Sequence, residues 1–211
     1  RFGLPAGAAM VAGVTDGCAS FLATGADAPG DGVTALGTTL TLKLLSDRPV
    51  FAPEYGVYSH RIGETWLAGG ASNTGGGALA AQVPPERIAT LSARIDPETE
   101  SGLDYYPLVR PGERFPHADP AMAPRVTPRP EDEALFLKGL FEGVARVEAL
   151  GYRRLAELGA PPLERLRSVG GGARDAALTA IRRRMLGVAF APAASEEAAA
   201  GVARLALGAL V

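Results

Sequence analysis

Asp16 is the only charged residue between Phe2 and Ala26. A carboxylate in such an apolar stretch is costly to bury unless it is partnered. Placed where a strand gives way to a helix, and followed by Gly17, it suits the removal of a proton from a hydroxyl. The same spacing also suits a cap on a helix over 17–24, and residue types alone leave both readings open. Two glycine-bearing turns add a second chemistry. In Leu36-Gly37-Thr38-Thr39, the missing side chain lets backbone N–H groups approach phosphate oxygens, and the hydroxyls can add bonds. In Ser168-Val169-Gly170-Gly171-Gly172-Ala173-Arg174-Asp175, three glycines lead into a helix, whose start favours an anion. Neither turn is a Walker loop or a Gly-x-Gly-x-x-Gly fingerprint. Each taken alone is also an ordinary turn.

Other reactive residue types point nowhere in particular. His60 and His117 lack metal-ligand spacing to each other or to a cysteine. Cys18, the single cysteine, excludes an internal disulfide and a multi-cysteine metal site, fits a reducing compartment, and reads as packing. No nucleophile-elbow pattern is present. Arg182-Arg183-Arg184 reads as a solvated helix face. The 211 residues are 47% apolar and 21% charged, the balance of a globular chain with a core. Lys+Arg 21 against Asp+Glu 23 leaves no basic footprint for nucleic acid. No stretch is apolar for the ~20 residues a membrane span needs, and the start lacks the basic and apolar blocks of a signal peptide. The chain opens on Arg1, which is expected of a piece of something longer.

The elements that must position these residues follow from periodicity. An apolar run over 8–15 reads as a buried strand, then 18–24 as a short helix closed by Gly25. Residues 33–36 and 39–44 read as strands around Gly37, with Leu40, Leu42 and Leu44 on one face. A further strand pair is expected over 57–60 and 65–69, and a helix over 86–94. Residues 97–130 hold eight prolines and form a long irregular excursion, of the kind that packs over a site. Helical spacing returns over 132–158, with a kink or break at Gly151. A strand over 165–169 and a helix to Leu186 follow, then a short strand over 188–191. A last helix is expected to start at Ser195-Glu196-Glu197, with Val202, Leu205 and Ala206 inward. Antiparallel strands followed by strand–helix units make an α/β class and suit a ribonuclease-H-like lobe.

Taken together, the pieces resemble the C-terminal lobe of the FGGY carbohydrate kinases, within the sugar-kinase, actin and Hsp70 superfamily. The matching stretches are Gly13-Val14-Thr15-Asp16-Gly17, Leu36-Gly37-Thr38-Thr39, Gly69-Gly70-Ala71-Ser72-Asn73-Thr74-Gly75-Gly76 and Val169-Gly170-Gly171-Gly172-Ala173. Their order fits over nearly the whole chain. Phrases such as Leu42-Lys43-Leu44-Leu45-Ser46-Asp47, Gly56-Val57-Tyr58-Ser59-His60-Arg61 and Gly102-Leu103-Asp104-Tyr105-Tyr106-Pro107-Leu108 are similar to the D-ribulose kinase, or xylulose-kinase-like, branch.

The resemblance implies an α/β ribonuclease-H-like ATPase lobe, a mixed sheet flanked by helices, as one C-terminal domain over 1–211. It implies ATP and Mg²⁺ as cofactors, a ketopentose substrate (D-ribulose, then D-xylulose), a cytoplasmic protein, and no nucleic-acid or membrane partner. Asp16 matches the base that contacts the sugar hydroxyl. Gly37, Thr38 and Thr39 match the phosphate-contacting hairpin, and Gly171, Gly172, Ala173 and Asp175 the nucleotide-holding turn. No residue is assigned to a metal. Two positions depart from the pattern: Asp175 stands where relatives usually have Asn, and Leu178 where they often have Trp. An ionised acid only accepts, so the first change removes donors. An N-terminal lobe with an Asp-Gly-Thr phosphate loop is expected as the partner, and the chain alone is expected to be inactive. The rival readings are a non-catalytic nucleotide-binding or interaction module and a kinase of another polyol, such as glycerol or L-ribulose.

Overall fold

A computed structural model describes residue 3 and residues 5–209; the outermost positions of the domain read over 1–211 lie outside the described residues. The elements run α1 (Asp16–Ala23), β1 (Asp31–Leu36), β2 (Leu40–Ser46), β3 (Tyr58–Ile62), β4 (Thr65–Ser72), α2 (Gly76–Ala80), α3 (Pro85–Ser92), α4 (Glu133–Glu157), β5 (Arg165–Val169), α5 (Ala176–Leu186), β6 (Ala189–Phe190) and α6 (Ala198–Ala209). The six strands form one sheet in the order β3-β4-β2-β1-β5-β6. β1–β2, β2–β4 and β3–β4 are antiparallel, whereas β1–β5 and β5–β6 are parallel. The expected mixed sheet flanked by helices is what forms.

Alternation along β2 decides the layers. Leu40, Leu42 and Leu44 are 0% exposed and face a core built with α4 and α5. Burying each of them contributes about 2 kcal/mol. α4 starts where Asp132 caps the N–H of Ala134 at 3.0 Å. It lays Leu137, Leu140, Phe141, Val144 and Leu155 on the sheet. Cys18 and Phe21 of α1 cover the other face, with Val33, Leu45, Leu67 and Val169.

Several expectations need correction. Residues 8–15 form no strand and are largely exposed, with Met10 fully so; nothing pairs with them among the described residues. Gly151 does not break α4, which is continuous from Glu133 to Glu157. A Cβ at Gly151 would lie 2.7 Å from the Phe115 ring, and one at Gly70 of β4 only 2.5 Å from it. Phe115, 0% exposed, is therefore seated between two glycines. That seat pins the Pro-rich excursion to the core, together with the buried Tyr105, Tyr106 and Leu108. The helix expected from Ser195 begins at Ala198, because the Ser195 hydroxyl closes a local turn onto the Glu197 N–H at 3.1 Å. Its inward contact is Gly201, where a Cβ would meet the Ala19 carbonyl oxygen at 1.9 Å, while Val202 is exposed. Finally, Arg182 is not on a solvated face: it is 0% exposed and paired with Glu148.

Candidate functional site

Thr15 is the N-cap of α1, without a side-chain cap bond, and Asp16 is the first helical residue. The Asp16 carboxylate is exposed, and its Oδ1 accepts from the neighbouring Gly17 N–H at 2.7 Å. The cap is thus one residue upstream, and the carboxylate is left free to act on something outside. α1 runs in the same sense as β2, since Gly17 lies over Lys43 and Leu22 shares a cavity wall with Leu45. The N-terminal end of α1, with Asp16, therefore points the same way as the end of the sheet where β1 turns into β2 and where β5 gives way to α5.

The first of those turns is held by the segment after β4. Gly76 N–H donates to the Gly37 carbonyl at 2.8 Å, Gly77 N–H to that of Thr38 at 2.9 Å, and Leu40 N–H to that of Thr74 at 2.9 Å. Gly75 has φ 126°, and a Cβ there would lie 2.8 Å from the Thr39 carbonyl carbon, so only glycine fits. Gly37 and Thr38 stay exposed, and Thr39 is half-buried.

The second turn is a 3-10 turn over Gly171–Arg174. Gly170 enters it at φ 88°, against the Leu36 carbonyl. A Cβ at Gly171 would meet nothing within 4 Å, so the backbone there is open to an incoming group. Beside the turn is a cavity of about 380 Å³, with Leu79, Ile88, Phe141 and Leu178 in its walls and Gly76, Gly171, Gly172 and Asp175 at its rim. Apolar walls with a glycine rim suit a flat heterocycle carrying a charged tail. Ala173 belongs to the turn but does not line the cavity; its carbonyl accepts from the Thr179 hydroxyl at 3.3 Å. Asp175 caps α5 by accepting from Leu178 N–H at 2.9 Å, and the same oxygen accepts from the Ser92 hydroxyl at 2.8 Å. The acid at this position thus has a structural task of its own.

Two acids near these turns escaped the sequence reading. Glu196 reaches back to accept from Gly170 N–H at 3.3 Å, with the same oxygen 3.9 Å from Arg174 Nη2; the contact joins residues far apart in sequence and left no local signal. Glu113, 3% exposed, accepts from Ser72 Oγ at 2.6 Å, Asn73 N–H at 2.6 Å, Tyr106 Oη at 2.8 Å and Arg114 N–H at 2.8 Å. Burial and the neighbouring Glu113 charge push the Tyr106 phenol well above its usual range. Glu113 thereby ties the Pro-rich excursion to the segment that holds the Gly37–Thr39 hairpin. Glu113→Ala strands these donors, and we expect it to cost about 3 kcal/mol in urea denaturation. A loss below about 1 kcal/mol would show that the clamp is not needed.

Among the described residues, no three His, Cys, Asp or Glu side chains gather as a metal cage, and no helix is long and apolar enough to cross a membrane.

Comparison with solved structures finds the same architecture. The xylulose kinase from Rhodospirillum rubrum superposes with a TM-score of 0.83 at 23% identity, over 99% of this chain and 44% of that one. The xylulose kinase from Bifidobacterium adolescentis gives 0.77 at 24% identity, over 92% of this chain and 40% of that one. The Plasmodium falciparum glycerol kinase with ADP gives 0.72 at 13% identity, over 89% of this chain and 40% of that one. These likenesses show the fold alone, of the actin- and ribonuclease-H-like kind, and the chain spans less than half the length of each. A family model for the C-terminal domain of FGGY carbohydrate kinases matches residues 32–210. With that match covering most of its length, the chain belongs to the FGGY family of carbohydrate kinases, as their C-terminal domain.

Proposed function

We propose that this chain is the nucleotide-binding half of a cytoplasmic, ATP-dependent kinase acting on a ketopentose, D-ribulose first and D-xylulose second. One observation carries the reading: an exposed carboxylate with no side-chain capping bond opens a helix that lies over β2, the strand that leaves the first glycine turn. In this reading the 380 Å³ cavity takes the adenine. Gly171, Gly172 and Ala173 take the near phosphates, and Gly37, Thr38 and Thr39 reach the outer ones. The open backbone at Gly171 supports the fit to ATP. For Mg²⁺ the described residues offer no cage of three or more acidic, His or Cys side chains; an ion carried by the phosphates would neutralise their charge. Asp16 takes the proton of the sugar hydroxyl. That oxygen forms a bond to the γ-phosphorus as the bond from γ-phosphorus to the β-phosphate oxygen breaks, and ADP leaves with the electron pair. Holding the reacting groups in line is what the fixed turns contribute.

Asp175 favours a second reading, a nucleotide-binding module without turnover. Its carboxylate already accepts from Leu178 N–H and Ser92 Oγ and offers adenine no donor. Coupled ADP release separates the two. The chain joined to its N-terminal lobe is assayed with Mg-ATP and D-ribulose, D-xylulose, L-ribulose or glycerol. We expect release that depends on a ketopentose. A folded two-lobed protein that releases ADP with none of the four would overturn the kinase reading. The 211 residues alone are expected to release none.

A further inference from the structure

Lys43 is the only charged residue of β2. Leu40, Leu42 and Leu44 take one face of that strand, so alternation puts Lys43 on the other, with Leu45, under α1. It is half-buried, with its Nζ 4.0 Å from Cys18 Sγ. A Cβ on Gly17 would lie 3.2 Å from that ammonium, so the glycine after Asp16 keeps the space open. Among the described residues, no carboxylate lies within ion-pair distance of Nζ.

This placement is unfavourable for folding alone. A half-buried ammonium without a bonded carboxylate is costly, and the first turn of a helix is the wrong end for a cation. The residue type is also selective. Lys43 and Lys138 are the two lysines in a chain with Lys+Arg 21. A lysine presents a compact charge that fits the gap beside Gly17, where an arginine fork would need more room. The titratable groups facing it are Cys18 and Asp16 from α1 and His60 from β3. Burial lowers the proton affinity of Lys43, and Cys18 and then Asp16 restore part of it. Burial, and then the Lys43 charge, lower that of His60.

We propose that Lys43 is a positioning residue for Asp16: its ammonium beneath the first turn of α1, against Gly17 and without a direct ion pair, attracts the neighbouring carboxylate through space and keeps it turned toward the hydroxyl it deprotonates. The inference rests on the kinase reading of Asp16. The ammonium's contribution is present below the lowered pKa of Lys43 and is lost as pH rises through it.

The test has one arm that needs no turnover. Lys43 acylation is followed against pH by peptide mass spectrometry in the two-lobed protein and in its Asp16→Asn variant. Removing the carboxylate is expected to shift the Lys43 labelling curve to lower pH; an unmoved curve overturns the coupling. The second arm is kinetic. Lys43→Met is expected to lower kcat about 10- to 100-fold, with the KM for ATP within about two-fold. The wild-type rate is expected to fall at alkaline pH, and the variant to lack that fall. Lys43→Arg, charged throughout, is expected to regain part of kcat without the alkaline fall. A Lys43→Met protein with wild-type kcat and an unchanged alkaline limb overturns the proposal. A two-lobed wild type without sugar-dependent ADP release sinks the kinase reading instead, and the labelling arm still decides whether Lys43 and Asp16 are coupled.

Discussion

Asp16→Asn in the two-lobed protein is expected to lower kcat about 10³-fold, within the usual range for removing a general base. The KM for ATP is expected to stay within about two-fold and the melting temperature within about 1 °C, because surface substitutions without structural bonds move stability little. The structure separates these effects. Asp16 is exposed, Thr15 holds the cap position, and among the described residues the one side-chain bond to Asp16 comes from the adjacent Gly17 N–H. Asn keeps an oxygen there to accept that bond but cannot take a proton from a hydroxyl. Its loss of charge at a helix start costs about 0.3–1 kcal/mol at most. The helix-cap reading, also open in the sequence, makes the opposite forecast: reduced stability and intact turnover. Steady-state kinetics with calorimetric nucleotide binding decides between them. A kcat within about three-fold of wild type would remove Asp16 from the chemistry, since a working base contributes at least about 10².

How much of this could be read from residues alone depends on what each signal measures. Alternation over Leu40, Leu42 and Leu44 gave the buried face correctly, because a period of two leaves a strand no other way to bury three leucines. The same alternation places Lys43 opposite them, so its position was legible even though its surroundings were not. The apolar run over 8–15 misled: hydrophobicity states a preference for burial without supplying a partner, and Met10 and Val11 are exposed. Gly151 misled for a different reason. Helix propensity marks glycine as a breaker, but here a tertiary approach decides, with Phe115 occupying the space a side chain would need. The glycine turns were legible as turns. The cavity beside the second turn was not, because its walls come from α2, α3, α4 and α5, which only the sheet topology brings together.

Arg182 shows a pattern that was available and overridden. Ala177, Leu178, Ile181 and Arg182 are all buried along α5, at the one, three and four spacings of a single helix face. A run of three arginines argues for solvent, but helical phase puts the first of them inward. There Arg182 meets Glu148 of α4 in a two-pronged pair, Nε to Oε2 at 2.6 Å and Nη2 to Oε1 at 2.7 Å, with both side chains 0% exposed. Nη2 also donates to Ser168 Oγ of β5 at 2.9 Å, and Thr34 Oγ1 of β1 donates to Glu148 Oε1 at 2.6 Å. The Tyr152 hydroxyl closes the cluster 2.9 Å from that of Thr34, and burial, with the Glu148 charge, pushes its pKa far up. Four elements thus converge on one ion pair beneath the strands that lead into both glycine turns. Arg182→Met is expected to destabilise the protein by about 3–5 kcal/mol, since it leaves a buried carboxylate without its cation. Against a typical total of about 5–15 kcal/mol, that loss takes much of the stability. Glu148→Leu is expected to cost a similar amount by stranding the guanidinium. The double variant is expected to lose far less than the sum, because two apolar side chains fill the same volume with no uncompensated charge. Urea denaturation of the four proteins measures the cycle. Additive single losses, or a single Arg182→Met loss under about 1 kcal/mol, would show that the pair is not coupled as its geometry requires.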